Sequence, residues 1–263
     1  MEVIIRPDAQ AAAQLTAQLI AKRLQDNPRL VLGLATGRTM ERVYQNLVQL
    51  HRAQGLDFSL CRSFNLDEYI GLAADDPRSY HQTMQQQLFR HINIDSRNAH
   101  LLDGMAEDLA AEAAHYEAMI AAAGGIDVQL LGIGEAGHIG FNEPLSALMS
   151  RTREKALSPV TRQQNADFFG GAAQVPTRAL TMGVGTILEA REIIMLVTGQ
   201  SKAAILAQAV EGAISARISA TALQLHPNCK VIADEDASSA LQGQEYYRWI
   251  FANEPEWQAF HDA

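Results

Sequence analysis

Residues 127–144 read DVQLLGIGEAGHIGFNEP, and the fold class follows from this stretch. Val128 to Leu131 is a short, mostly apolar run of strand length, the pattern of a strand buried on both faces of a parallel sheet. Glycines follow at positions 132, 134, 137 and 140. Glycine tolerates dihedrals and close backbone approaches that other residues do not, so this density implies a tight, shaped loop. The loop carries His138, Asn142 and Glu143. A strand that runs into a glycine-rich loop bearing an imidazole and a carboxylate is where an open α/β sheet places its chemistry. The same residues also fit an ordinary strand-to-helix turn with a surface histidine.

Outward from this stretch, strands and helices alternate. Strand candidates are Val3 to Ile5, Leu30 to Leu34, Arg62 to Leu66, Ala179 to Met182, Ile193 to Val197, Leu223 to His226 and Lys230 to Ala233. Asp8 is placed to cap a helix whose Leu15, Leu19, Ile20 and Leu24 fall at helical spacing. Further helices are expected from about Met40, from Ser79, over Ala106 to Ala123, over Val160 to Phe169, and from Lys202 to about Glu211. A last one holds the aromatic tail with Tyr246, Tyr247, Trp249 and Trp257. There is no repeat and no low-complexity linker. The alternation predicts an α/β fold, a single doubly wound, mostly parallel sheet with helices on both faces, as one domain over residues 1–263.

Of the 263 residues, 48% are hydrophobic and 19% charged, enough apolar surface for a full core. A formal net charge of −9 argues against a nucleic-acid or anionic-membrane surface. It leaves room for a small anion held by a few local cations. Cys61 and Cys229 are too few and too far apart for a disulfide framework or a cysteine zinc site. No signal-peptide layout and no apolar run of membrane-spanning length is visible, so the expectation is a soluble cytoplasmic protein.

Thr36-Gly37-Arg38-Thr39 lies between a strand and a helix, a layout in which backbone N–H groups and the helix dipole receive an anion. The spacing is not that of a P-loop, and a helix start capped by Thr39 fits equally. Asp67-Glu68-Tyr69 sits at a strand end, where paired acids serve acid–base work or simply form a solvated turn. Lys202, at a helix start, opposes the helix dipole unless an anion binds there. Ser150 to Lys155, SRTREK, reads as a charged turn.

Taken together, LGLATGRT (32–39), FNLDEY (64–69), LLGIGEAGHIGFNEP (130–144), SRTR (150–153), TMGVGTILEA (181–190), LVTGQSKA (196–203) and ALQLHPN (222–228) resemble the glucosamine-6-phosphate deaminase family. The resemblance runs over nearly the whole chain in family order. It implies conversion of glucosamine 6-phosphate and water to fructose 6-phosphate and ammonia, with no metal or organic cofactor, in amino-sugar catabolism. Asp67 then matches the general base that moves a proton between C2 and C1. His138 matches the group that handles the ring-opening proton, and Glu143 matches its carboxylate partner, expected to orient it. Thr36, Gly37, Thr39 and Lys202 match the phosphate contacts, and Arg38 is a candidate addition to them. Ser146, Arg153 and Lys155 match part of the site at which N-acetylglucosamine 6-phosphate activates some relatives. Ala147 and Ala156 stand where those relatives have hydroxyls, so weak or no activation is expected.

Three stretches depart from the family pattern, at four positions. Ala136 stands where relatives carry Asp or Asn. Asp167 stands where relatives have a phosphate-holding arginine. Arg38 and Met40 replace a small residue and a proline. One linked reading has Arg38 taking over the phosphate charge, with Asp167 either pairing with Arg38 or facing away. Alternatives are a different phosphorylated sugar such as galactosamine 6-phosphate, a 6-phosphogluconolactonase, or a sugar-phosphate binder without catalysis. A homo-oligomer is left open.

Overall fold

The computed structural model describes residues 1–261. In chain order the strands are β1 (Glu2–Arg6), β2 (Val31–Leu34), β3 (Arg62–Asn65), β4 (Asp67–Tyr69), β5 (Ala99–His100), β6 (Val128–Leu131), β7 (Arg153–Ala156), β8 (Arg178–Thr181), β9 (Glu192–Val197) and β10 (Cys229–Asp234). The helices are α1 (Ala9–Asp26), α2 (Arg38–Gln54), α3 (Tyr80–Gln87), α4 (Leu109–Ala122), α5 (Pro159–Gln164), α6 (Ala166–Phe169), α7 (Val184–Leu188), α8 (Ala203–Glu211), α9 (Glu235–Ser238) and α10 (Gln244–Asn253). Asp8 caps α1 as its position predicts, its carboxylate accepting the Ala11 N–H at 2.8 Å.

The main sheet has seven strands in the order β1-β10-β9-β6-β2-β3-β5, and every pairing in it is parallel. All residues of β2, β6, β9 and β10 are buried, so both faces of the sheet are covered. From β2 the chain moves outward through β3 to β5, then returns to β6 and builds away through β9 and β10. The winding direction therefore reverses between β2 and β6, and a crevice opens at the carboxyl ends of strands at such a reversal.

A second, three-stranded antiparallel sheet, β4-β8-β7, accompanies the main one. It accounts for two departures from the sequence expectation. The SRTREK segment is not only a charged turn, because Arg153 to Ala156 pairs with β8. The Ala179 to Met182 segment forms the middle strand of this small sheet. The expected strand over Leu223 to His226 is instead a 3₁₀ helix, Ser219–Leu225. Gln224 explains it, since its amide donates to the Ala209 and Gly212 carbonyls at the end of α8 and turns the chain back. The expected helix over Val160 to Phe169 breaks at Asn165 into α5 and α6.

The tail closes the opposite end of the sheet. Lys230 is 2% exposed, with its ammonium 3.1 Å from Glu192 and 3.2 Å from Glu256. Arg23 adds two hydrogen bonds to Glu192 at 2.7 and 3.1 Å, and Trp257 is fully buried beneath the Lys230 ammonium. Burial alone would raise the Glu192 carboxyl, but the Arg23 hydrogen bonds and the Lys230 charge outweigh it and hold it below its usual range. A depressed carboxyl gives stability that is present above its unfolded value and is lost as pH falls through the folded one. Lys230→Met leaves Glu192 with Arg23 alone, and should cost roughly 3 kcal/mol in chemical denaturation near pH 7. The gap to wild type should narrow as the pH is lowered, and a gap that widens in acid would contradict this account.

Candidate active site

The expected site residues converge on the crevice. Thr36 to Thr39 follow β2, Asp67 follows β3, His138 follows β6 and Lys202 follows β9, and these strands are neighbours in the order β9-β6-β2-β3. The loop after β2 starts α2 at Arg38. Gly37 takes the cap position with φ 122° and no side-chain cap hydrogen bond. Thr39 therefore is not the cap; the Gly37 carbonyl takes the Met40 N–H at 2.9 Å, which leaves the Arg38 and Thr39 N–H groups at the start of α2 to meet an anion.

Asp67 and His138 are far apart in sequence and are joined by the small sheet. Asp67 lies across from Thr181 in the β4–β8 ladder. The Thr181 hydroxyl accepts the Phe141 N–H at 3.0 Å, which draws the glycine-rich loop against β4. Gly140 fits the junction at φ 53°, and a Cβ there would stand 2.9 Å from the Thr181 hydroxyl and 3.5 Å from the Asp67 carboxylate. Gly134 gives the imidazole its seat, since a Cβ on it would lie 2.1 Å from His138 Nε2. Asn142, wholly buried, locks the loop by donating to the Ile139 and Met182 carbonyls and accepting from Arg153 at 2.8 Å.

His138 Nδ1 donates to the Gly140 carbonyl at 2.6 Å. A carbonyl only accepts, so the proton sits on Nδ1 and Nε2 is left as a bare base. Burial lowers the His138 pKa, against the Gly140 carbonyl and the nearby Glu143 charge, which favour the cation. The imidazole is therefore neutral near pH 7. The Gly140 carbonyl is the orienting partner, in place of the expected Glu143. Glu143 acts on His138 through charge, while its Oε1 accepts the Ser158 N–H at 2.9 Å. Asp67 is pushed up to about 8, by burial first and by the Glu68 charge second. Lys202 is half-buried and lowered by burial, with Glu135 opposing that shift.

Among the described residues, His138 Nε2, Glu143 Oε2 and Lys202 Nζ are buried without a hydrogen-bond partner. Such groups cost free energy unless something meets them, so three unmet groups around one crevice describe a site shaped for a polar ligand. Arg38 and Asp167, the two departures from the family pattern, meet each other at 2.8 Å. Both are largely exposed, at 78% and 81% of their side chains, so the pair lies on the rim. Gln164 of the same segment accepts the Glu135 N–H at 3.2 Å. Residues 158–167 thus form a cover held to the crevice at Glu143, Glu135 and Arg38. Ala136 offers no polar atom beyond its backbone, and Glu135 beside it is exposed.

Of the expected effector residues, Arg153 and Lys155 lie two apart on β7 and share one face of the small sheet. Ser146 is buried with an unmet hydroxyl. Arg153 spends a hydrogen bond on Asn142, inside the loop. The sequence reading missed Thr181 and Ser219, whose hydroxyls bind this loop. Thr181 opens the motif TMGVGTILEA, and Ser219 lies just before ALQLHPN, outside every motif quoted. No group of three or more His, Cys, Asp or Glu side chains arranged to hold a metal ion occurs among the described residues.

Comparison with known proteins agrees with the geometry. The profile of glucosamine-6-phosphate isomerases/6-phosphogluconolactonase matches residues 8–232. A glucosamine-6-phosphate deaminase from Shewanella loihica is 49% identical over 259 residues, 98% of this chain and 97% of that protein. One from Cutibacterium acnes is 49% identical over 249 residues, 95% of each. The solved structure of a monomeric glucosamine-6-phosphate deaminase superposes with a TM-score of 0.90 at 42% identity, covering 91% of this chain and 100% of that one. A 6-phosphogluconolactonase from Trypanosoma cruzi shares the fold at a TM-score of 0.73 and 20% identity, over 92% of this chain and 97% of its own. With the crevice, its imidazole and its carboxylates all carried on matched sequence, the chain belongs to the glucosamine-6-phosphate isomerase/6-phosphogluconolactonase family.

Proposed function

We propose that this protein is a glucosamine-6-phosphate deaminase, an enzyme that cleaves a C–N bond by aldose–ketose isomerisation. The observation that carries the reading is the meeting of Asp67 and a neutral His138 about Gly140, beside a half-buried lysine with no partner. The phosphate is held by the free N–H groups at the start of α2, by Thr36 and Thr39, and by Lys202 and Arg38. His138 Nε2 takes the C1 hydroxyl proton, the ring oxygen leaves C1 and is protonated, and the open aldehyde forms. A histidine suits this step because its neutral form is available near pH 7. Glu143 stabilises the imidazolium while it holds the proton.

Asp67 then removes the C2 proton as the C1 oxygen gains one that the substrate's ammonium gives up, which leaves an enolamine. The same carboxyl returns the proton to C1, leaving an iminium at C2. Water adds to C2, ammonia departs, and the ketose phosphate remains. No residue forms a bond to the sugar. The raised pKa of Asp67 makes it a stronger base than an ordinary carboxylate, which suits removal of a proton from carbon. The substrate's ammonium favours the ionised carboxylate and restores it in the complex. The chain is proposed to work as one cytoplasmic domain, and the described residues contain no helix long and apolar enough to cross a membrane.

Ammonia release from glucosamine 6-phosphate, run beside galactosamine 6-phosphate, is the direct test. Asp67→Asn should lower kcat by roughly 10²–10⁴-fold. Wild-type kcat/KM should rise with pH through a limb near 8, the value to which Asp67 is pushed, and kcat should follow a limb at lower pH. Since the folded state holds the Asp67 proton to higher pH than the unfolded chain does, that residue's contribution to stability declines as pH rises to about 8. Asp67→Asn, uncharged throughout, should therefore melt progressively higher than wild type over that range.

Arg38→Ala should raise KM for the sugar phosphate by roughly tenfold, the scale of one lost charge-assisted contact. An unchanged KM would take Arg38 out of the phosphate site. Ser146, Arg153 and Lys155 make up an incomplete effector site in this reading. N-acetylglucosamine 6-phosphate should leave the rate curve unaltered, and a sigmoidal curve made hyperbolic by it would show a working site.

A further inference from the structure

Glu68 is 1% exposed, yet the reaction as derived does not touch it. Its Oε1 accepts the N–H groups of Tyr69 at 2.8 Å and Tyr80 at 3.0 Å. Its Oε2 accepts the His81 N–H at 3.0 Å and lies 3.1 Å from His81 Nδ1. A carboxylate that gathers this many donors is bound as the anion. Two of the backbone donors belong to the first turn of α3, where they would otherwise be unmet and where a negative charge is favoured. Ser79 already caps that helix through the Gln82 N–H, so Glu68 supplies a second tie, from the catalytic strand itself.

We propose that Glu68 is a positioning residue for Asp67: its carboxylate fastens β4 to the start of α3 and fixes a negative charge one residue from the base. The proposal rests on the reading of Asp67 as that base. The tie reaches further than β4. Tyr80, held at its N–H by Glu68, places its hydroxyl 3.3 Å from that of Tyr69 and next to the Thr36 hydroxyl in the phosphate loop. One buried carboxylate thus holds the strand of the base and, through Tyr80, the loop that receives the anion.

The groups around Asp67 leave Glu68 as its electrostatic control. Tyr44 from α2, Tyr69 from β4, Tyr80 from α3 and Tyr116 from α4 all face it. Burial pushes each of these phenols up, so none ionises near neutrality. His138, across Gly140, is neutral because burial lowers it. Glu68 itself is faced by His81 from α3 and by Asp67 and Tyr69 from its own strand. The remaining fixed negative charge beside the base is Glu68, which opposes ionisation of Asp67 and so strengthens it as a base.

The test compares Glu68→Gln with Glu68→Asp, both in the full chain, by the pH dependence of kcat/KM and of kcat. Glu68→Gln removes the charge, and its acid limb should move to lower pH by about one unit. Its kcat on the plateau should fall, because Asp67 becomes a weaker base. Glu68→Asp keeps the charge but is too short to reach all its donors. Its acid limb should stay at the wild-type position while KM rises, as Tyr80 loosens from Thr36. A Glu68→Gln limb that coincides with wild type overturns the proposal, and so does a Glu68→Asp limb displaced as far as that of Glu68→Gln. If Glu68→Gln does not fold, a carboxyl ¹³C titration of Asp67 in wild type and in Glu68→Asp decides. Titration near 8 in both together with a raised KM in Glu68→Asp supports the proposal, and titration in the ordinary carboxylate range in wild type, or an unchanged KM in Glu68→Asp, overturns it. Full activity of Asp67→Asn in parallel would instead remove the base assignment, an outcome separate from an unmoved limb.

Discussion

The hydrogen bond from the Phe141 N–H to the Thr181 hydroxyl is the constraint on which the site depends. The carboxylate and the imidazole arrive on different parts of the fold, one on a strand of the small sheet and one on a loop from the large sheet. Thr181 belongs to the strand that pairs with β4, and its hydroxyl receives the loop. Its burial makes the bond matter, because a buried N–H left unmet costs about 1–3 kcal/mol. The small antiparallel sheet thus brings the Asp67 strand and the His138 loop, two separate structural units, together about Gly140. Glycine at position 140 is the geometric condition for it, since the backbone there is left-handed and a side chain would push against the Thr181 hydroxyl.

Burial sets the electrostatics in opposite directions for the two groups. It raises Asp67 and lowers His138, so both tend toward neutrality in the free enzyme. That is the pattern by which one low-dielectric pocket supports both acid and base chemistry near pH 7. The unmet atoms of His138, Glu143 and Lys202 carry a stability cost that a ligand relieves. On the rim, Asp167 and Arg38 offset each other, so the two departures from the family pattern are coupled and not independent losses.

Much of this was legible in the chain. Short apolar runs alternating with helical periodicity gave the parallel sheet, because both signals are local and strong in buried strands. The motifs also singled out Asp67, His138, Glu143 and Lys202 by residue type, and the fold brings them to the ends of neighbouring strands. What misled was equally local. Arg153 to Lys155 alternate in charge like a solvated turn, yet they pair with β8, the middle strand of the small sheet, supplied from elsewhere in the chain. Leu223 to His226 look like a strand, and only the distant carbonyls of Ala209 and Gly212 pull them into a 3₁₀ helix. Thr181 and Glu68 carry no periodic signal, since their role is to accept particular N–H groups that tertiary packing delivers.

The sequence by itself determined the fold class and the chemical inventory: which strands are buried, where the loops need glycine, and which acids and bases are present. These depend on residue type and on spacing within a few turns. Tertiary structure alone decided which group orients His138, how far Asp67 departs from an ordinary carboxylate, and that Arg38 meets Asp167. Those outcomes depend on the distances and desolvation between residues remote in sequence, and such quantities exist only once the chain has folded.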